Sequence, residues 1–249
     1  MDIKIKGKVA IVTGASRGLG FAAAQALADE GAKILATGRS VSELEALAKT
    51  RPGAIVPVPC DMRDIAAVEA LPARAVSEFG RLDIVVNNAG IAPAGAFLEQ
   101  THESLSELMV VNVIAPAMLS KAAGAIMVEQ RSGKIINIAS ISGIRGKAVL
   151  VGYSASKGAV LQMTKALAAE WARHNIQVNA IAPGGFATEA QAAVVNNPDV
   201  LKKRVRKIPA SRMAMPDEMG AMVCYLASPL SDFVTGAVMV IDGGETAKI

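Results

Sequence analysis

Tyr153 and Lys157 stand four residues apart in the stretch YSASK. On a helix, residues at i and i+4 share one face. A free phenol has a pKa of about 10 and is a poor acid or base near neutrality. A neighbouring ammonium favours the phenolate and lowers that value, which suits general acid–base work. An amphipathic surface pair has the same spacing. Ser140 closes the run KIINIAS, where a hydroxyl at a strand's carboxyl end could donate to a substrate oxygen. Asn112 lies inside a long apolar helical stretch. A buried mid-helix amide is costly without partners, and either a bridging water or a core hydrogen bond would supply them.

A second group has the residue types that hold phosphate. TGASRGLG places Gly14, Gly18 and Gly20 in G-x-x-x-G-x-G spacing, between a first strand and a first helix. Glycine lets the backbone turn tightly and approach a pyrophosphate, and a helix N-terminus offers free N–H groups to it. Glycine turns also serve packing. NNAG, residues 87–90, follows the fourth strand and would put Asn88 and Gly90 in the same crevice; an ordinary turn reads alike.

These residues need a scaffold, and the apolar runs supply one. Strands are expected at Val9–Thr13, Lys33–Thr37, Ile55–Pro59, Asp83–Val86, Lys134–Ala139, Gln177–Ile181 and Ala237–Ile241. Most are rich in Val and Ile without polar alternation, as in parallel strands buried on both faces. Helices are expected at Leu19–Glu30, Val41–Lys49, Ile65–Phe79, His102–Gln130, Ser154–Arg173 and Asp217–Ala227. The alternation implies an α/β fold, a doubly wound parallel sheet with helices on both faces, in one domain over residues 1–249. The stretch 184–216 is longer than an ordinary connection and reads as a lid over a binding site. Its run KKRVRK is either a solvated face or a contact for acidic substrates.

Composition narrows the function. Of 249 residues, 52% are hydrophobic and 19% charged, too apolar for disorder. A net charge of +4 is too mild for the basic stripe of a nucleic-acid binder. Cys60 and Cys224 lie far apart, and His102 and His174 form no pair, so no metal site is expected. The N-terminal stretch has neither a signal peptide's apolar core nor a membrane span, and the expected location is the cytoplasm.

Taken in order, TGASRGLG, NNAG, Asn112, Ser140, YSASK, IAPGGFAT and the closing IDGG resemble the short-chain dehydrogenase/reductase family over nearly the whole chain. The resemblance implies a seven-stranded Rossmann-type domain and an enzyme that interconverts a carbonyl and a secondary alcohol by hydride transfer. It implies Tyr153 as general acid/base and Ser140 as the group that polarises the substrate oxygen. Lys157 would bind the nicotinamide ribose and depress the Tyr153 pKa, and Asn112 would hold a water leading from Lys157 to solvent. It places Gly14, Ser16, Arg17, Gly18, Leu19, Gly20, Asn88, Ala89 and Gly90 around the dinucleotide. Asp61 and Met62 would meet the adenine, and Pro183, Gly184, Phe186 and Thr188 the nicotinamide. In the family two long helices pair with symmetry mates, so the resemblance implies a homotetramer, with a dimer as the fallback. The apolar stripe Val160, Met163, Leu167 and Trp171 could serve that pairing or face the sheet. The substrate is a small molecule; reductases of keto sugar acids and of 3-oxoacyl thioesters are the most similar groups.

The cofactor is read at the end of the second strand. An NAD site should carry an acidic residue about 20 residues past the start of the glycine loop. Thr37, Gly38 and Arg39 stand there, with no carboxylate before Glu43. Arg39 and Arg17 would favour the 2′-phosphate of NADP. An NAD-dependent alcohol or sugar-acid dehydrogenase is the alternative. A dinucleotide-binding sensor without catalysis is a third reading.

Overall fold

The computed structural model describes residues 3–248. Seven parallel strands form one sheet in the order β3-β2-β1-β4-β5-β6-β7. They are β1 Val9–Thr13, β2 Lys33–Gly38, β3 Ile55–Pro59, β4 Ile84–Asn87, β5 Gly133–Ile138, β6 Ile176–Pro183 and β7 Val238–Ile241. The register sets Val12 beside Ala36 on one side and Val86 on the other.

Successive side chains of a strand point to opposite faces, and here both faces are covered. Ala10, Val12, Ile34, Val86 and Ile136 pack with Ala23 and Leu27 of α1 (Gly18–Asp29) and with Leu44 and Leu47 of α2 (Val41–Thr50). Val9, Ile11, Leu35, Val85 and Ile135 pack on the other side, against Val68 and Leu71 of α3 (Ile65–Phe79). This double burial is why the strands lack polar alternation.

The expected helix His102–Gln130 is continuous but not uniform. It consists of α4 (His102–Met109), a π turn at Val110–Ile114 and α5 (Ala115–Gln130). Asn112 sits in that wide turn. By length and composition this is the one helix among the described residues able to cross a membrane. Its Leu119, Ala123 and Met127 are instead buried in the core against α3 and the sheet, as in a core helix.

The helix bearing YSASK, α6, runs Val151–Trp171 and starts three residues earlier than expected. Its buried face, Ser156, Lys157, Val160, Leu161 and Thr164, lies toward the sheet. Val160 is buried, and Leu167 and Trp171 pack against the core, Trp171 over Gly124 of α5. Much of the stripe therefore faces inward. The segment 184–216 holds two short helices, α7 (Ala192–Val195) and α8 (Pro198–Val205), and is followed by α9 (Gly220–Ala227). A parallel bridge between Phe186 and Ala214 ties the two ends of the segment together.

Candidate active site

A cavity of about 970 Å³ opens along the carboxyl ends of the strands, where the strand order reverses between β1 and β4. Its first wall is the glycine loop. Gly14 and Gly18 have φ of +64° and +58°, a region that favours glycine. A Cβ on Gly20 would lie 2.2 Å from the Gly14 carbonyl oxygen, so only glycine fits there. No side chain caps the α1 N-terminus, which leaves its first N–H groups available to an anion.

NNAG is fastened to this loop by hydrogen bonds. Asn88 Nδ2 donates to the carbonyls of Thr13 (2.9 Å) and Gly14 (3.2 Å). Thr13 Oγ1 accepts from the backbone N–H of both Asn88 and Ala89, at 3.0 Å each. The bond pattern makes Asn88 a brace of the loop as well as a wall residue. Thr13 was not singled out from sequence, because its role depends on a partner 75 residues away.

Beyond the glycine loop the cavity is lined by Ser16, Arg17, Leu19, Arg39, Asp61 and Met62, the residues expected around adenosine. Arg17 Nη2 lies 3.5 Å from Glu43 Oε2, and both side chains are exposed. Asp61 accepts from Arg63 Nε and from its backbone N–H, and these bonds hold its carboxyl below the usual range. Among the described residues Arg39 has no ion pair within 4.0 Å, and it is exposed at the rim. A Cβ on Gly38 would lie 2.5 Å from Ser16 Oγ, so a larger residue there requires Ser16 to turn.

At the other end, Gly90, Ser140, Tyr153, Lys157, Pro183, Gly184, Phe186 and Thr188 line the same cavity. The strand β5 ends at Ile138, two residues before Ser140, which caps the short turn Ile141–Gly143 by accepting from Ser142 N–H at 3.0 Å. Lys157 is 5% exposed, and its Nζ donates to the Ile138 carbonyl at 2.7 Å. Burial pushes the Lys157 ammonium down to about 8. Its Nζ is 5.8 Å from the centre of the Tyr153 ring.

Here one expectation is corrected. The Tyr153 phenol does not lie below its ordinary value, contrary to what the resemblance implied. Burial raises the phenol above its ordinary value, and the opposing pull comes from a hydrogen bond with Ser140. The Lys157 ammonium is turned to the Ile138 carbonyl and is itself disfavoured by burial, which limits its field at the phenol.

Gly20 and Asn112 do not line the cavity; they stand behind it. Asn112 is 1% exposed and fully engaged on its amide side: Nδ2 donates to the Ile91 carbonyl (2.9 Å) and to Ser156 Oγ (3.0 Å). Its Oδ1 accepts from Ile91 N–H at 2.8 Å. Ser156 Oγ in turn donates to the Tyr153 carbonyl at 2.8 Å. The amide thus ties the loop after NNAG to the helix of Tyr153. A further buried chain, Ser120–Asn87–Asn137–Thr164, joins α5, β4, β5 and α6. Sequence reading missed Ser156 and this chain, since neither has a motif. Lys147, Arg204 and Glu245 also line the cavity and were not named individually. Among the described residues no cluster could hold a metal ion.

The family model described as enoyl-(acyl carrier protein) reductase matches residues 14–246. A 2-dehydro-3-deoxy-D-gluconate 5-dehydrogenase of Dickeya dadantii is 38% identical, with 98% of this chain and 97% of that protein covered. A 3-oxoacyl-acyl-carrier-protein reductase of Vibrio cholerae is 35% identical, covering 97% and 98%. Among solved structures, a gluconate 5-dehydrogenase of Burkholderia cenocepacia in complex with NADP and tartrate superposes with a TM-score of 0.94 at 33% identity, covering 100% and 98%. A cavity with a glycine cradle at one end and a group of Tyr153, buried Lys157 and buried Ser140 at the other suits an NAD(P)-dependent oxidoreductase acting between alcohol and carbonyl. The chain belongs to the short-chain dehydrogenase/reductase family.

Proposed function

We propose that the protein is an NADP(H)-dependent reductase or dehydrogenase with Tyr153 as its general acid/base. The observation that carries this reading is the placement of the Tyr153 phenol, Ser140 and the Lys157 ammonium together on one wall of the cavity. Tyr153 gives its phenolic proton to the forming alcohol oxygen and takes it back in the reverse direction. Ser140 donates to the same oxygen. Lys157 would hold the nicotinamide ribose, and its ammonium, with a pKa pushed down to about 8, is the group that returns a proton to Tyr153. Asn112 positions this group by fixing Ile91 and Ser156; the side path to solvent would pass beside it through water. When bound, the cofactor supplies or accepts the hydride.

NADP is favoured because no free carboxylate stands at the end of β2. Glu43 is paired with Arg17 and Asp61 with Arg63, while Arg39 is uncommitted among the described ion pairs. One charge-assisted hydrogen bond is worth roughly 1.5–3 kcal/mol, so wild type should prefer NADPH over NADH by about tenfold or more in kcat/KM. Arg39→Leu should remove most of that preference; it avoids the clash that a substituted Gly38 would meet. A wild type that prefers NADH would refute the reading.

The same reading extends to assembly. Apolar side chains are exposed at two separate places, Met109 and Ile114 on the long helix and Leu230, Phe233 and Val240 beside the edge strand β7. Two self-complementary surfaces make a closed tetramer. Light scattering should return a mass near four times 25.6 kDa; a monomeric mass at micromolar concentration is incompatible with this assembly. Two unpaired, buried cysteines suit a reducing compartment, and the location proposed is the cytoplasm.

A further inference from the structure

Past Tyr153 the cavity continues into a space between residues 144–150, α8 and the C-terminal segment. Of the run KKRVRK, Lys202, Lys203, Arg206 and Lys207 are exposed, while Arg204 turns inward and lines the cavity. Its guanidinium crosses the backbone of Gly185, where a Cβ would lie 2.9 Å from Nη2. It forms a two-point pair with Glu245, at 2.7 and 2.6 Å, and the two side chains are only 17% and 20% exposed.

Lys147 lines the same space. Its backbone N–H donates to Ser154 Oγ at 3.2 Å, which anchors it one residue from Tyr153. Its ammonium is pushed below the ordinary lysine value, first by burial and then by repulsion from Arg204, with Glu245 opposing. Arg204 is paired with Glu245, and Lys147, an exposed residue, lines the same cavity without an ion pair to that carboxylate, so two cations and one carboxylate stand along this part of the wall. The Glu245 carboxylate occupies one N–H on each of two guanidinium nitrogens, so Arg204 keeps donors to spare. An arriving carboxylate would balance the excess charge, and Glu245 is an acceptor for hydroxyl groups.

We propose that Lys147 and Arg204 form the carboxylate-binding end of the substrate site, with Glu245 facing the hydroxyls, and that the substrate is a polyhydroxy acid. This rests on the reading of Tyr153 as the reacting centre, because Lys147, Arg204, Glu245 and Tyr153 line one cavity. A long acyl thioester offers neither a carboxylate nor a row of hydroxyls to these groups.

The test is calorimetric binding of D-gluconate and of its neutral counterpart sorbitol to the enzyme–NADP⁺ complex. Gluconate should bind tighter, and added salt should weaken gluconate alone. Lys147→Met should cut the gluconate-to-sorbitol affinity ratio by roughly tenfold, the worth of one charge-assisted hydrogen bond. Arg204→Gln with Glu245→Gln keeps a neutral hydrogen-bonding pair and should also lower the ratio. If the pair were only a latch for α8, this double variant would lose thermal stability and keep the ratio. Equal affinity for the two ligands, no binding of either, or an unchanged ratio in both variants overturns the proposal. Gluconate binding as expected, without turnover of any ketone, would instead overturn the role of Tyr153. Turnover of a neutral diketone without gluconate preference would spare Tyr153 and overturn the carboxylate site.

Discussion

The two ends of the cavity are built from different materials. At the nucleotide end the essential parts are backbone and empty space: Gly14, Gly18 and Gly20, with side chains such as Arg17 and Arg39 at an exposed rim. At the end proposed as catalytic the essential parts are buried side chains held by hydrogen bonds, Lys157 on Ile138, Asn112 on Ile91 and Ser156, Ser156 on the Tyr153 carbonyl. The difference teaches where each end is vulnerable. A cradle of backbone is broken by adding atoms; a buried network is broken by removing them, since each lost partner leaves another group unsatisfied.

The largest effect should come from the catalytic end. Tyr153→Phe removes the proton donor and leaves the ring, so kcat should fall roughly a thousandfold, within the range typical of general acid–base groups. NADPH binding, followed by its fluorescence, should change little. A variant that retains a tenth of wild-type kcat would remove Tyr153 from the acid/base role.

At the opposite end, Gly20→Ala adds one carbon. It would sit 2.2 Å from the Gly14 carbonyl oxygen and 2.4 Å from Asn88 Nδ2, so the loop must shift. Overpacking of this kind costs about 1–3 kcal/mol. The expected result is a lower Tm and an NADPH Kd raised about tenfold or more. Unchanged Tm and unchanged Kd would show that the cradle gives more freely than its backbone contacts imply. The smallest effect belongs to the exposed rim, where Arg39→Leu should alter cofactor preference by about tenfold and leave Tm in place. A large loss of Tm there would erase the contrast between cradle and rim.

Much of the cradle was legible because its signals are local. Gly14, Gly18 and Gly20 lie within seven residues, between a buried strand and a helix, and the structure places them so. The strands were found to within a residue or two because apolar runs mark both-faced burial; the last extends Ala237–Ile241 in expectation and Val238–Ile241 in fact. The catalytic end was legible only in part. Tyr153 and Lys157 share a helix face, as the i, i+4 spacing requires, yet the sign of the Tyr153 shift was misread. Spacing reports proximity along a helix. It does not report how much solvent is removed from the phenol, or that Lys157 is turned to a strand carbonyl.

By itself, the sequence determined the parallel sheet, the order of its elements, and which residue types face the strand ends, because these follow from periodicity and glycine placement over short stretches. Tertiary structure alone decided the rest. It chose Arg204 out of KKRVRK as the residue that enters the cavity, paired it with Glu245 41 positions away, and set Lys147 beside Tyr153's helix. It also made Asn112 a brace between Ile91 and Ser156, 44 positions distant. Such contacts join segments far apart in the chain, and only the folded register of the helices on the sheet brings their polar atoms within hydrogen-bonding reach.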